Sequence, residues 1–318
     1  MKQHSSPPRK NFELKAYMTN FVSRAIRQKS VDYRLHVHRV NSRESYQAHL
    51  DSMAETHRNR WDNELTLGAS QLPFTTRGFC QPCQCEVDFE TDFEYSYDRI
   101  DDKLAPNWRE RVICPFCHLN NRTRASVQIL EEILEAKRNS SIYIAEQVTP
   151  LYALLKARFP QLVGSEYLGS KVSFGSTDER GVRNESITKL TFDDDSFDVV
   201  LNFDVLEHIP NPKIGLGEIF RVLKPGGRLL LSVPFMPHLE HTQVRATISP
   251  DGDTTHHLPP QYHGDPVSED GCLCFQDFGW DLLVELKRLG FSRVEVLLYW
   301  SDVLGYFGVE QNVIFAQK

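Results

Sequence analysis

The run Phe197-Asp198-Val199-Val200-Leu201-Asn202-Phe203 constrains the fold of this chain more than any other segment, because it is apolar nearly throughout. A strand with one wet face alternates apolar and polar residues, whereas a strand covered on both faces need not. The run therefore reads as a buried strand of a parallel sheet. A helix is expected over about 213–223, after which Pro225-Gly226-Gly227 turns the chain into another strand over 228–233.

The same alternation extends to both sides. A helix is expected over 126–138, with Val127, Leu130, Ile133 and Leu134 on one side. A short strand over 142–145 follows, then Thr149-Pro150, a good N-cap and first-turn pair for a helix over 151–159. A second strand over 162–164 ends at Glu166. Beyond residue 233 come a long loop, a helix over 280–289 closed by Gly290, and strands over 294–299 and 312–316. Strands alternating with helices imply a parallel sheet covered on both faces. The last two strands, joined without a helix, suggest an antiparallel hairpin at the sheet edge.

At 318 residues the chain has room for about two domains. Residues 1–70 read as a helical region with a disordered lead. Tyr17, Phe21 and Ala25 share one face of a helix over 14–28, and a polar helix over 44–63 has few apolar anchors. Its partner is either the second domain or another chain. From Val87 to Asp98 apolar and acidic residues alternate with period two, as in a strand with one face inward. Arg109 and Arg111 follow on a candidate partner strand, within reach of those acids.

Seven cysteines occur, and four of them form the pairs Cys80-x-x-Cys83 and Cys114-x-x-Cys117. Zinc takes four thiolates in a tetrahedron, and two such turns supply two sulfurs each. A redox dithiol needs only one pair. Residues 76–122 are therefore expected to be a ribbon-like region with structural zinc on these four cysteines. Cys85 is a spare thiol nearby, and Cys272 and Cys274 read as buried thiols. Residues 86–102 carry eight acids against one arginine, a face that repels phosphate and suits a protein-docking surface or a lid.

The segment from Leu190-Thr191-Phe192-Asp193-Asp194-Asp195-Ser196-Phe197-Asp198-Val199-Val200, through Asp204-Val205-Leu206-Glu207-His208-Ile209-Pro210, to Glu218-Ile219-Phe220-Arg221-Val222-Leu223-Lys224-Pro225-Gly226-Gly227-Arg228-Leu229 resembles the type 11 branch of class I methyltransferases dependent on S-adenosylmethionine. From the cysteine pairs onward the chain also resembles an uncharacterised bacterial subset, with its Glu-Gln-Val-Thr-Pro loop and His-Gly-Asp-Pro segment. The resemblance implies a Rossmann-like, doubly wound, seven-stranded sheet over 126–318, with S-adenosylmethionine bound at the carboxyl ends of the central strands. Glu166 would accept the ribose hydroxyls, with Tyr167 beside it. Ser186 and Ile187 align with the position that reads the adenine, and Phe203 and Asp204 with residues touching the methionine portion. Glu146, Gln147 and Thr149 occupy the first loop.

That loop departs from the family pattern. No glycine lies between Arg138 and Val163, although glycines there normally let the backbone approach the ligand. Thr149 still caps a helix whose amides face an anion.

Methyl transfer asks mainly for alignment and exclusion of water, with a base where the acceptor is a hydroxyl or an amine. The two candidate bases are His208, in the Leu-Glu-His-Ile-Pro turn, and His263. The latter belongs to a loop over 234–277 that holds five of the twelve histidines, and loops of that length usually carry function. A second metal within that loop is a further alternative.

The net charge of −7 argues against a constitutive nucleic-acid binder. No apolar run long enough for a membrane span occurs, and MKQHSSPPRK is not followed by the apolar core of a secretory signal. A cytoplasmic location is expected. Three readings follow: methyl transfer to a small molecule or saccharide, an inactive methyltransferase-like binding or assembly module, and a zinc-containing RNA methyltransferase. The sequence leaves the oligomeric state open.

Overall fold

The structure is a computed structural model that describes residues 32–96, 99–100, 103–169, 171–265 and 268–318. The helix expected over 14–28, Tyr97 and Asp98 of the alternating run, and Pro266 lie outside the described residues. Tyr33–Lys318 form one compact unit.

In chain order the principal elements are β1 (Val37–Val40), α1 (Arg43–Leu67), β2 (Phe74–Cys80), β3 (Cys85–Thr91), β4 (Val112–Ile113), α2 (Asn121–Gln128), β5 (Ile142–Ile144), α3 (Pro150–Arg158), β6 (Val163–Gly164), β7 (Phe197–Phe203), α4 (Pro212–Val222), β8 (Leu223–Ser232), α5 (Asp281–Leu289), β9 (Arg293–Ser301) and β10 (Tyr306–Gln317). Seven of the strands make one mixed sheet in the order β1-β9-β10-β8-β7-β5-β6. β8, β7, β5 and β6 run parallel, and β10, β9 and β1 continue the sheet antiparallel.

Alternate residues of the central strands feed two cores. Val200, Leu229 and Leu231 pack with Leu216 and Ile219 of α4 and Leu282, Leu283 and Leu286 of α5. Val199, Leu201 and Leu230 pack on the other face with Ala125 and Val127 of α2 and Leu151 and Leu155 of α3. Each such aliphatic side chain, fully buried, contributes about 1.5–3 kcal/mol. The absence of alternation in β7 thus reflects two dry faces. After Gln128 the α2 helix widens into a π-helical turn over Ile129–Ile133.

The C-terminal hairpin is internal to the sheet and does not form its edge. β10 pairs with β8, and β9 pairs with β1 along Val37↔Tyr299 to Val40↔Val296. The segment read as a helical N-terminal region thus supplies a strand, which covers the hydrogen-bonding edge that β9 would otherwise expose. The alternating run also ends sooner than its pattern suggests. β3 stops at Thr91 and pairs with β2 and β4, while Arg109 and Arg111 lie on no strand. Tyr95 adopts a left-handed φ of 58°, which breaks any strand there.

α1 docks on β10 through polar groups, which explains its lack of apolar anchors. The buried Glu64 accepts from Trp300 Nε1 at 2.9 Å and from the amides of Gly308 and Val309. Buried His49 meets Glu310 at 2.9 Å, and the Arg60 guanidinium lies 4.4 Å from the Trp300 ring centre. Among the described residues no helix is long and apolar enough to cross a membrane.

Candidate functional site

From β5 the chain moves to β6 on one side and later to β7 on the other. In an open parallel sheet, such a reversal opens a crevice at the carboxyl ends of the strands. Three carboxylates gather there: Glu146 after β5, Glu166 after β6 and Asp204 after β7.

Glu166 Oε1 accepts from the amides of Gln147 and Val148 at 2.6 and 2.9 Å, so it braces the loop that follows β5. Gln147 extends the brace, accepting from the Arg183 amide and donating to the Gly181 carbonyl. Thr149 caps α3, its hydroxyl accepting from Tyr152 N at 3.1 Å. The loop contains no glycine, yet it passes close to the sheet because the opposite residue is Gly164. A Cβ on Gly164 would fall 2.6 Å from the Glu146 carbonyl oxygen and 2.4 Å from the Tyr152 ring.

Glu146 Oε1 is buried without a hydrogen-bond partner. Burial pushes this carboxyl up to about 7, with the negative Glu166 and Asp204 adding to the effect and Thr149 and Arg122 opposing it.

Asp204 is held in the left-handed region, at φ 52°, a conformation that Asp tolerates better than most residues. Arg109 Nη2 donates to both its oxygens, at 2.8 and 2.9 Å, Arg122 Nη1 lies at 3.2 Å, and the Ser232 hydroxyl donates at 3.0 Å. Burial opposes ionisation of Asp204, but the two arginines outweigh it and hold the carboxyl well below the usual carboxylate range. The sequence singles out neither arginine for this place. It points both Arg109 and Arg111 at the acids of the alternating run, and of the two Arg111 meets them, binding Asp92 and reaching Glu94 at 2.9 Å.

The other expected cofactor residues are more scattered. Tyr167 is exposed, with its ring 6.3 Å from that of Phe174. The Ser186 hydroxyl bonds Thr188 at 2.8 Å, Ile187 belongs to the core beneath α4, and Phe203 packs on the opposite core. Beside Glu166 the backbone partner is Asn184, through an isolated parallel bridge.

His208 and His263 come together, their rings edge to face at 5.1 Å. Cys274 and Glu207 join them, although the sequence marks neither for a role there. Ligand atoms of His208, His263 and Cys274 all lie within 4.8 Å of one another. The Cys274 thiol, and then Glu207, push the His263 imidazole up to about 10. Burial alone would raise Cys274, but the two imidazoles reverse the effect and lower it. The region over 234–277 contains short antiparallel pairs, and Gln276, on the strand Gln276–Asp277, is fastened to the His208 turn by bonds from its Nε2 to the Leu206 and Ile209 carbonyls.

The sulfurs of Cys80, Cys83, Cys114 and Cys117 also converge within 4.8 Å of one another, with Cys80–Cys117 and Cys83–Cys114 each at 3.8 Å. The β2–β3 turn delivers the first pair, and Phe116 N donates to Cys114 Sγ at 3.4 Å. Cys85 begins β3 outside this group.

Residues 151–231, spanning Glu166, Asp204 and His208, match the family model of the type 11 methyltransferase domain. Residues 151–231 are thus similar to a methyltransferase domain. Over 73 residues it is 40% identical to a probable S-adenosylmethionine-dependent methyltransferase of Mycolicibacterium smegmatis, covering 23% of this chain and 25% of that protein. Over 53 residues it is 49% identical to a demethylmenaquinone methyltransferase of Clavibacter sepedonicus, covering 16% and 22%. The chain thus spans about a quarter of the length of these curated relatives. Among solved structures it is similar to an S-adenosylmethionine-dependent methyltransferase from Mesorhizobium loti, with 14% identity and a TM-score of 0.36 over 60% of this chain and 97% of that one.

Proposed function

We propose that this protein transfers a methyl group from S-adenosylmethionine to a small-molecule or saccharide acceptor. The observation that carries the reading is the set of three carboxylates at the reversal of the sheet. One of their oxygens, Glu146 Oε1, is buried without a partner and is suited to a cationic donor. The residues fit the cofactor: Glu166 accepts ribose hydroxyls beside the amides it already holds, since a carboxylate offers about four acceptor sites. The Asp204 and Glu146 carboxylates face the methionine portion. S-adenosylmethionine supplies an activated methyl group, so the chain has only to align acceptor and donor and keep water out. His208 and His263 lie beside β7's end, on the acceptor side, where they position the acceptor.

The cysteine cluster fits structural zinc. A tetrahedron with Zn–S bonds of about 2.3 Å has edges of roughly 3.8 Å, the separation seen in both sulfur pairs. Such a closed site would hold Arg109 and Arg122 over the crevice. One zinc per chain that Cys117→Ser removes is expected by elemental analysis.

Calorimetric titration with S-adenosylmethionine and with S-adenosylhomocysteine tests the reading. Saturable binding of both, weakened strongly in Glu166→Ala, supports it. A folded sample with no heat from either ligand refutes it. One observation favours that second outcome, an inactive module: Glu166 and Asp204 already have partners within the chain.

A further inference from the structure

Beyond the cysteine cluster, His208, His263 and Cys274 bring a thiol and two imidazoles together. We propose that His208, His263 and Cys274 form a second transition-metal site, suited to zinc, with the buried Glu207 carboxylate beside it. Two imidazoles and a thiolate are donor types that zinc takes, and three protein ligands leave its fourth tetrahedral position open.

The ligand atoms of His208, His263 and Cys274 lie within 4.8 Å of one another, and Glu207 stands at their edge. Glu207 is fully buried, and neither of its carboxylate oxygens has a hydrogen-bond partner. Its nearest cationic neighbours are His263 Nδ1 at 3.4 Å and His208 Nε2 at 3.8 Å. An imidazolium bonded directly to a carboxylate would close to about 2.7–2.9 Å. The Cys274 sulfur completes the group, within 4.8 Å of both ring nitrogens.

The surroundings orient His208 as they would a metal ligand. His208 Nδ1 lies 3.0 Å from the Leu273 carbonyl oxygen. A carbonyl only accepts, so Nδ1 carries the proton and Nε2 keeps its lone pair for the metal. On His263, Gln261 Nε2 donates to Nε2 at 3.3 Å and Nδ1 faces Glu207, so binding of a metal at Nδ1 would displace the proton held there. The backbone fastens the two halves together: Phe275 N donates to the Glu207 carbonyl at 2.7 Å, and Cys274 N to the Gln261 carbonyl at 2.8 Å. A buried carboxylate without a hydrogen bond is costly, and a dication bound beside Glu207 lowers that cost. The metal would also tie the 234–277 region to the turn that follows β7, beside Asp204.

Metal content tests the site without S-adenosylmethionine, so the result is independent of the methyl-transfer reading. Full-length protein is saturated with zinc, desalted and measured by elemental analysis, beside His263→Ala, Cys274→Ser and Cys117→Ser. His263 is partly exposed on a hairpin, so its variant is expected to keep the wild-type far-UV circular dichroism. Wild type should exceed both His263→Ala and Cys274→Ser by one zinc per chain. Cobalt(II) reconstitution of Cys117→Ser should still give a thiolate charge-transfer band, lost on adding Cys274→Ser. Equal zinc in wild type and a folded His263→Ala would overturn the proposal, as would no cobalt–thiolate band in Cys117→Ser.

Discussion

Arg109, from the segment between β3 and the second cysteine pair, donates through one guanidinium nitrogen to both oxygens of Asp204, at 2.8 and 2.9 Å. The contact spans 95 residues of sequence and joins the cysteine-bearing region to the end of β7. Arg122 adds a second positive charge at 3.2 Å, and Glu110 faces both guanidinium groups.

Removing Arg109 leaves Asp204 partly uncompensated. Loss of one partner of a fully buried pair costs about 3–5 kcal/mol. Arg109 is 35% exposed and Arg122 remains, so solvent screening brings the expected loss for Arg109→Ala to roughly 1–2 kcal/mol. Urea unfolding of Arg109→Ala, Asp204→Asn and the double variant measures it. The two effects should be non-additive, because each variant removes the same interaction. Strict additivity would show that the contact contributes nothing.

Glu146 gives the crevice a pH dependence. Its folded pKa of about 7 lies above the ordinary 4.5, so the folded state holds the proton more tightly than the unfolded chain. The resulting stability is fully present below the unfolded value and is lost as pH rises through 7. Glu146→Gln stays neutral throughout. Each tenfold difference in proton affinity between the folded and unfolded states is worth about 1.36 kcal/mol. Wild type should therefore lose up to about 3 kcal/mol relative to this variant between roughly pH 4 and pH 8. Parallel stability curves for the two proteins would contradict the assignment.

The parallel half of the sheet is legible because it is written in local signals: the double-sided apolar run of β7, the Thr149-Pro150 start of α3, and the Pro225-Gly226-Gly227 turn into β8. Pairings across long separations leave no such mark. β1 is four residues, Val-His-Arg-Val, with no pattern to announce that it closes the sheet against β9. α1 is legible as a helix, but its polar face hides the docking on β10, since the anchor is the buried Glu64. The site shows the same division. His208 and Asp204 follow a strand end and can be placed from it, whereas Arg109, Arg122 and Cys274 reach the site only through tertiary folding. The glycine that the loop after β5 lacks stands instead on the neighbouring strand, β6, where a pattern confined to the loop does not reach.

Glu64 is the acceptor for three donors, Trp300 Nε1 and the amides of Gly308 and Val309. Burial raises its carboxyl above the ordinary value even against these bonds. Glu64→Ala strands all three donors, at a cost of about 1–3 kcal/mol for each group left unsatisfied away from water. We expect a total loss of about 3 kcal/mol or more in chemical unfolding, and faster proteolysis within α1. Glu64→Gln keeps the acceptor oxygen and should recover most of the stability. An alanine variant with wild-type resistance would show that α1 is held by something else.

Gly164 tests whether the glycine opposite the loop replaces the glycines that the loop lacks. An alanine Cβ would meet the Glu146 carbonyl at 2.6 Å and the Tyr152 ring at 2.4 Å, nearer than carbon atoms approach. Overpacking of a tight site costs about 1–3 kcal/mol. Relief has to come from displacing the loop or the ring, and the loop carries the amides of Gln147 and Val148 that Glu166 binds. Gly164→Ala should therefore lower thermal stability and weaken S-adenosylmethionine binding by tenfold or more in calorimetry. A control at Gly217, where an added Cβ meets nothing within 4 Å, should leave binding unchanged. If Gly164→Ala loses stability but binds the ligand as wild type does, the close approach serves packing alone and the loop is not the cofactor cradle.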